Sequence, residues 1–280
     1  MTKINFLFLL NLALFAMCNA QEGVEIFNKM IESSKKVNAL SFNATVKERF
    51  DGKLHLQKAF IKVRHSPFQI YYRQDYPQKG IEILYSQGKN QNKALVKPNQ
   101  FPWVNMNLDP LNNQLRDKQH QTLFNPGFAY FVKVMEQSAK KYLNNLEKII
   151  EYKGEAAWNN KDFYKLELVS PDYKLIKHIV EVGETIDKIA EKYYLNSYKI
   201  LELNPVVKDY NDIKTGQEII IPNCHTKKMI LWVDKEKYVP MKLEIYDENG
   251  IFELYEFYNM KINLNFATDE FSPMFKDYGF

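Results

Sequence analysis

The chain has 280 residues, of which 45% are hydrophobic and 26% are charged, with a formal net charge of +4. This length is enough to bury an ordinary hydrophobic core. Because 38 basic residues nearly balance 34 acidic ones, the composition does not indicate a nucleic-acid partner, and we expect none.

Residues 1–20 are predicted to be a secretory signal peptide. They begin with a basic stretch, continue as an apolar run that is short for a membrane span, and end in the small residue Ala20. We therefore expect an exported protein, periplasmic or associated with the outer membrane. Lipidation of Cys18 is the alternative, which the bulky Met17 before it disfavours. Removal of the signal would leave Cys224 alone, so no intramolecular disulfide is expected.

The first elements of the predicted mature chain are one helix and a series of strands. Residues 22–37 carry an apolar stripe at helical spacing, which predicts an amphipathic helix over a sheet. The period then changes to two, and Asp51-Gly52 is typical of a hairpin turn. The alternation shifts phase around Lys58, which indicates a bulge or twist. Consecutive antiparallel strands are predicted at 40–46, 54–64, 68–72, 81–85 and 94–96.

The middle of the chain is less regular. Residues 98–125 contain proline and many amides, and we expect a loop with little regular structure there. Asn125-Pro126 is a good helix start, followed by a buried face with Phe128, Val132 and Met135. Strand patterns return at 147–155 and 163–169.

Residues 178–222 contain the most specific pattern in the chain. An apolar run at 179–182 predicts a strand, which Gly183 ends because glycine accepts turn dihedral angles. Thr185 and Asn196-Ser197 are predicted N-caps of two short helices. Asn204-Pro205 ends the second helix, and 219–221 is a closing strand.

This segment resembles a LysM module through the motifs G-E-T-I, I-A-E-K-Y, I-L-E-L-N-P and I-K-T-G-Q-E-I-I-I-P. LysM modules are βααβ units that bind glycans containing N-acetylglucosamine, chiefly peptidoglycan and chitin. The resemblance implies a shallow groove between two loops, in which backbone groups bind the acetamido sugar and Ile186 and Ile213 contact its methyl group. Two departures from the motif are Glu184, where aspartate is most frequent, and Asp187. The implied glycan-binding residues are Gly183, Glu184, Thr185, Ile186, Asn204, Pro205, Val206 and Ile213. The alternative is a small unit kept only for packing.

Similar strand patterns occur before Pro171 and after Thr226. The LysM unit is therefore predicted to be inserted into one larger domain. The closing sequence L-W-V-D-K-E-K-Y-V-P-M-K-L-E-I-Y-D-E-N-G, followed by F-E-L-Y-E-F-Y-N-M-K-I-N, resembles periplasmic lipoprotein-carrier-like (LolA-like) domains and a related bacterial envelope family of unknown function. The implied fold class is α+β, a curved antiparallel sheet forming an incomplete barrel with packed helices. The implied parts are 21–176 and 226–280 for this domain and 178–222 for the module.

No catalytic or metal-binding motif is evident. Cys224 precedes His225, but adjacent residues on an extended segment point to opposite sides, so His225 is poorly placed to activate the thiol. The other histidines show no spacing typical of metal ligands; they are His55, His65, His120 and His178. We therefore predict no cofactor, no metal and no enzymatic activity.

The sequence thus favours a non-enzymatic envelope protein that binds peptidoglycan or N-acetylglucosamine oligomers through its LysM module. A second hypothesis is a carrier of a lipid or lipoprotein acyl chain, positioned by the module. A third is a peptidoglycan hydrolase with unrecognised carboxylates, for which Asp172 and Glu181 stay open. The oligomeric state is also left open.

Overall fold

The computed structural model describes residues 21–142 and 145–280. The predicted signal peptide, including Cys18, lies outside the described residues. Among those described, none of the helices combines the length and the apolar character that crossing a bilayer requires.

Eleven strands form one antiparallel sheet, in the order β6-β5-β4-β3-β2-β1-β13-β12-β11-β8-β7. In the described ranges β6 and β7 are the two edge strands, so the sheet does not close into a barrel. The prediction of a curved, open antiparallel sheet is therefore confirmed. Pairing between the chain's two ends, β1 with β13, holds the sheet together. The strands are β1 (Ala39–Phe50), β2 (Lys53–His65), β3 (Phe68–Tyr76), β4 (Glu82–Ser86), β5 (Ala94–Lys97), β6 (Met106–Leu108), β7 (Ile150–Trp158), β8 (Lys161–Val169), β11 (Lys228–Asp234), β12 (Pro240–Asp247) and β13 (Gly250–Ile262).

Two helices, α1 (21–35) and α2 (Phe128–Lys140), contribute to the main core together with strands of this sheet. Met30 of α1 and Met135 of α2 are buried there with Leu166 and Leu231 of the sheet. The amphipathic pattern of each helix supplies this buried face, because residues three and four apart lie on one side of a helix. The predicted irregularity at Lys58 is also confirmed, since the β2 and β3 register shifts between Lys58 and Ala59.

The LysM-like segment emerges between two neighbouring strands of the large sheet. β8 pairs directly with β11, and the Ser170 N–H donates to the Lys227 carbonyl at 2.9 Å where the chain leaves and returns. Between these points β9 (Leu175–Ile179) and β10 (Glu218–Pro222) form a separate two-stranded sheet, accompanied by α3 (Ile186–Tyr193) and α4 (Ser197–Leu203). This unit has its own core, so it folds as a compact insertion.

Two predicted boundaries are wrong. Helix α2 begins at Phe128 rather than at Asn125-Pro126, because the Asn125 side chain accepts hydrogen bonds from the backbone and hydroxyl of Thr122 instead of capping the helix. β9 ends at Ile179, since a turn at Gly183 leaves Val182 88% exposed. The loop predicted at 98–125 has little regular structure, as expected: it contains only the short strand β6 and a 3₁₀ helix, Asn113–Arg116, among its described residues.

Residues 263–280, the end of the part 226–280 assigned to the sheet domain, follow its last strand, β13, and are not strands of the sheet. They pack on the face of the sheet opposite to the helices, where Tyr278 stacks on Tyr71 with 3.6 Å between ring centroids and Phe271 joins the same small core. Tyr71 is available there because its neighbours Ile70 and Tyr72 point to the other face, as successive residues of a strand do.

Candidate functional site

The two predicted groove loops of the inserted module lie next to each other. The Thr185 hydroxyl accepts a hydrogen bond from the Lys188 N–H at 3.3 Å, which confirms it as the N-cap of α3. The Ile186 N–H donates to the Tyr210 carbonyl at 3.0 Å and so joins the loop before α3 to the loop after α4. A local cap and one cross-loop hydrogen bond therefore define this side of the module.

The eight residues implied by the LysM resemblance differ in exposure. Gly183, Pro205 and Val206 are exposed, and Val206 is 81% exposed. Glu184, Thr185 and Ile213 are half-buried. The remaining two, Ile186 and Asn204, are buried.

Ile186 and Asn204 take part in internal contacts of the module. Ile186 is 0% exposed and belongs to the module core, so its side chain is not part of the module surface. The Asn204 amide donates to the carbonyls of Ile200 and Ile220, both at 2.7 Å, and its oxygen accepts from the Ile220 N–H at 2.8 Å. Asn204 therefore joins α4 to β10 and has a structural role.

Glu184 is held by groups of the module itself. Its carboxylate accepts from the Glu181 N–H at 2.9 Å, contacts His178 Nε2 at 2.7 Å and pairs with Lys192 Nζ at 3.1 Å. Desolvation opposes its ionisation, but these hydrogen bonds outweigh it and lower the pKa of Glu184 to about 2. The carboxylate therefore orders the first loop and stays charged at neutral pH.

The large sheet domain contacts the module through Arg116. This buried guanidinium forms a bidentate pair with Asp187, at 2.7 and 3.0 Å, and lies 3.2 Å from the centroid of the Tyr210 ring. Asp187 follows the first groove loop and Tyr210 belongs to the second. Arg116 thus touches the elements of both loops, a contact that no spacing in the sequence revealed because the partners are 71 residues apart.

A second buried contact joins α4 to the sheet. Lys199 Nζ lies 2.7 Å from carboxylate oxygens of Asp247 and Glu248 and 2.9 Å from Glu202. Arg49 pairs with Asp247 through both of its terminal nitrogens. Burial opposes ionisation of Asp247, but the hydrogen bonds from Arg49 and Lys199 lower its pKa. This network links β1, β12 and the module.

Beside that network lies a buried cluster of Glu48, His120 and Glu253, here called the Glu–His–Glu cluster. His120 Nδ1 and Glu253 Oε1 are 2.9 Å apart, and the backbone N–H of His120 donates to Glu48 Oε2 at 3.0 Å. Burial lowers the pKa of His120, but the Glu253 hydrogen bond and the Glu48 charge outweigh it and raise the pKa. Burial raises the pKa of Glu48. Sequence reasoning missed this cluster because its members are distant in the chain.

A cavity of about 170 Å³ lies between α2 and the sheet. Most of its lining is apolar, and the polar part of the lining includes Glu48, Gln121 and Tyr255. The apolar lining includes Phe42, Ala44, Ala59, Ile61, Phe128 and Met135.

Cys224 and His225 do not form an activated pair. Burial raises the pKa of the Cys224 thiol, which is 3.7 Å from the Thr226 carbonyl. His225 Nδ1 lies 2.9 Å from the Tyr194 carbonyl, and burial lowers its pKa. The His225 imidazole is therefore hydrogen-bonded to the backbone of the module. The two acids left open as a hydrolase pair occur in separate ion pairs, Asp172 with Lys141 and Glu181 with Lys192.

These features define a class of protein: an open antiparallel sheet with helices on one face and a βααβ module inserted between two adjacent strands. The chain belongs to the family described as "Protein of unknown function (DUF1571)", whose model matches residues 38–196, more than half of the chain. A LysM domain model matches residues 178–222, which confirms the module predicted from sequence.

Several solved structures are similar at low identity. The lipoprotein LppX of Mycobacterium tuberculosis is 12% identical, with 89% of this chain and 99% of that chain covered and a TM-score of 0.43. MucB in the Pseudomonas aeruginosa MucA/MucB complex is 11% identical, with 90% and 60% covered and a TM-score of 0.42. A LolA superfamily protein from Nitrosomonas europaea is 13% identical, with 91% and 98% covered and a TM-score of 0.33. None of the curated proteins matches the chain.

Proposed function

We propose that this protein is a non-enzymatic binding protein of the cell envelope that holds glycan containing N-acetylglucosamine, peptidoglycan above all, on the LysM module. The observation that carries the proposal is the LysM domain match at residues 178–222, together with the exposure of Gly183, Pro205 and Val206 in the two loops. The export predicted for residues 1–20 would bring the module to such a glycan.

The exposed loop residues suit a shallow sugar site. Val182 and Val206 offer apolar surface that can pack against the C–H face of a sugar or an acetamido methyl group. Gly183 has a φ of 77° and no side chain, so the backbone there is accessible to a polar ligand. Because Ile186 is buried, we assign the apolar contact to Val206 and the half-buried Ile213. Specificity would then come mainly from backbone hydrogen bonds.

Sedimentation with purified peptidoglycan tests this proposal. We expect Val206→Arg to abolish cosedimentation, because it puts a long charged side chain on the second loop without altering a buried contact. The matched control is Val104→Arg, which makes the same change at an exposed valine of the sheet domain. Equal sedimentation of wild type and Val206→Arg would refute the site, and loss in both variants would indicate a charge effect instead.

A second candidate function is the binding of an acyl chain, and the apolar cavity under α2 favours it. At about 170 Å³ the cavity is smaller than most ligand pockets, which span roughly 300–1,000 Å³, so it would take the end of a chain rather than a whole lipid. Ala44→Leu, which fills the cavity, should reduce lipid recovered by mass spectrometry from protein purified out of its native envelope. Ala157→Leu, at an exposed alanine on β7, is the control.

The proposal that the protein is not an enzyme has its own test. Zymography on gels containing cell wall should show no cleared band at the position of this protein. A cleared band that disappears in a variant of Asp172 or Glu181 would establish the hydrolase alternative.

A further inference from the structure

The Glu–His–Glu cluster places two carboxylates in the protein interior, where Glu48 accepts hydrogen bonds from the Tyr255 hydroxyl at 2.7 Å and from the His120 backbone N–H at 3.0 Å. Glu48 and Glu253 are 3% and 0% exposed. In the described part of the chain neither forms an ion pair with Lys or Arg, and the imidazole of His120 is the only basic group paired with Glu253. Buried carboxylates normally have a cationic partner or bind a metal ion. The cluster therefore has room in its charge balance for a cation.

The orientation of His120 suits a metal ligand once Nδ1 has lost its proton. Nε2 lies 2.9 Å from the Arg49 carbonyl, which only accepts hydrogen bonds, so Nε2 carries a proton. Nδ1 lies 2.9 Å from Glu253 Oε1 and donates to that carboxylate in the metal-free protein, so a bound metal ion would displace this proton. The ring is stacked between Tyr198 and Phe252, at centroid distances of 4.3 and 4.2 Å, which fixes its plane. Histidine ligands of metal ions commonly donate their other ring N–H to a backbone carbonyl in this way.

Glu253 has an unused oxygen. Its Oε1 is approached by His120, by Gln121 at 3.2 Å and by Asn196 at 2.7 Å. Its Oε2 is buried and has no hydrogen-bond partner within residues 21–142 and 145–280. An unsatisfied carboxylate oxygen in the interior is costly, and a bound cation is one of the few groups that satisfies it.

We propose that Glu48, His120 and Glu253 bind one divalent transition-metal ion, of which Zn²⁺ fits the ligand set best. One ligand atom from each residue lies within 4.8 Å of the others. Zinc accepts imidazole nitrogen and carboxylate oxygen with four ligands in total, whereas calcium requires six to eight oxygen atoms. Glu48 also lines the cavity, so the fourth ligand can be water or a polar group on the cavity side.

The ion would fasten the module to the sheet. Asn196 is the N-cap of α4, and its amide donates to Glu253 in β13. Glu48 and Glu253 lie on the paired strands β1 and β13 and face each other in the register. A metal ion at this point would therefore connect two strands of the sheet, the His120 segment and the beginning of α4.

Metal binding to residues 21–280, the chain without its predicted signal peptide and Cys18, tests the proposal. The background variant Cys224→Ser removes the free thiol as a competing ligand. After treatment with a chelator, we expect titration with Zn²⁺ or Co²⁺ to show one ion per chain, and Co²⁺ to give the visible absorption of a four-coordinate site. Zn²⁺ should also raise the melting temperature, since a ligand that binds only the folded state stabilises it.

Substitutions of single candidate ligands then locate the site. Glu253→Gln and His120→Gln should weaken binding by about 100-fold or more, whereas His178→Gln should not, although His178 forms the same kind of pair with Glu184. If one of these variants fails to fold, the Co²⁺ spectrum of the Cys224→Ser background variant still decides whether a four-coordinate site is present. Less than a tenth of an equivalent bound, or binding that persists in Glu253→Gln, would overturn the proposal.

Discussion

The inserted module has two sides that are held in different ways. The side with the groove loops depends on short-range contacts, such as the Thr185 cap on Lys188 and the Glu184 carboxylate on the Glu181 N–H. The side against the sheet depends on buried contacts between residues far apart in the chain, such as Lys199 with Asp247. The surface formed by the groove loops therefore depends on local contacts and can vary at little cost in stability, whereas the surface against the sheet is an anchoring surface, where each buried polar group needs its partner.

The largest effect is expected on the anchoring side. Asp247→Asn removes the negative charge between Arg49 and Lys199 and leaves buried cations undercompensated, so we expect a loss of about 3–5 kcal/mol in the free energy of unfolding. Urea denaturation measures this loss. The control is Glu218→Gln, whose partner Lys177 is 71% exposed and whose loss should cost under about 1 kcal/mol. Similar losses for both variants would remove the distinction between the two sides.

Acid pH is expected to affect the first groove loop through Glu184. Its pKa is lowered from 4.5 to about 2 in the folded protein, so its contribution to stability is complete above pH 4.5 and is lost as the pH falls toward 2. After allowance for solvent screening we expect a contribution on the order of 1–2 kcal/mol. The melting temperature of Glu184→Gln should therefore fall less than that of wild type in this range. If the melting temperatures of wild type and Glu184→Gln fell in parallel as the pH is lowered, Glu184 would not be the group responsible.

A smaller effect is expected from the N-cap of α3. Thr185→Ala removes the hydroxyl that accepts from Lys188, and loss of an N-cap typically costs about 1 kcal/mol. Denaturation with guanidinium chloride measures the change. Thr215→Ala, at an exposed threonine of the same module, is the comparison and should be close to neutral. If Thr215→Ala lowers the free energy of unfolding by as much as Thr185→Ala, loss of the N-cap is not the cause of the destabilisation.

The smallest effect on stability is expected at Val206, where the effect on binding should be complete. The side chain is 81% exposed, so Val206→Arg should change the free energy of unfolding by less than about 0.5 kcal/mol while abolishing cosedimentation with peptidoglycan. Thermal unfolding of the sample used for sedimentation checks both statements together. If Val206→Arg lost binding because it unfolds, its free energy of unfolding would fall well below that of wild type, which would contradict the statement on stability.

Local patterns in the sequence predicted most of the module and much of the sheet. The caps at Thr185 and Asn196 were correct, because a cap depends on a side chain and a backbone group three residues away. Alternating strands and the Asp51-Gly52 turn were predicted for the same reason. The start of α2 was missed because Asn125 had an equally local but competing partner in Thr122.

The sequence by itself determined the βααβ module, its position between two halves of one sheet and the antiparallel strands, since these follow from short-range periodicity and turn chemistry. Only the tertiary structure decided that Ile186 belongs to the core, that residues 263–280 cover the opposite face of the sheet, and that Glu48, His120 and Glu253 meet. His120 is 72 residues from Glu48 and 133 from Glu253, and contacts at such separations have no periodic signature. They arise because the pairing of β1 with β13 brings distant parts of the chain together inside the sheet, and burial then favours polar groups that can satisfy one another.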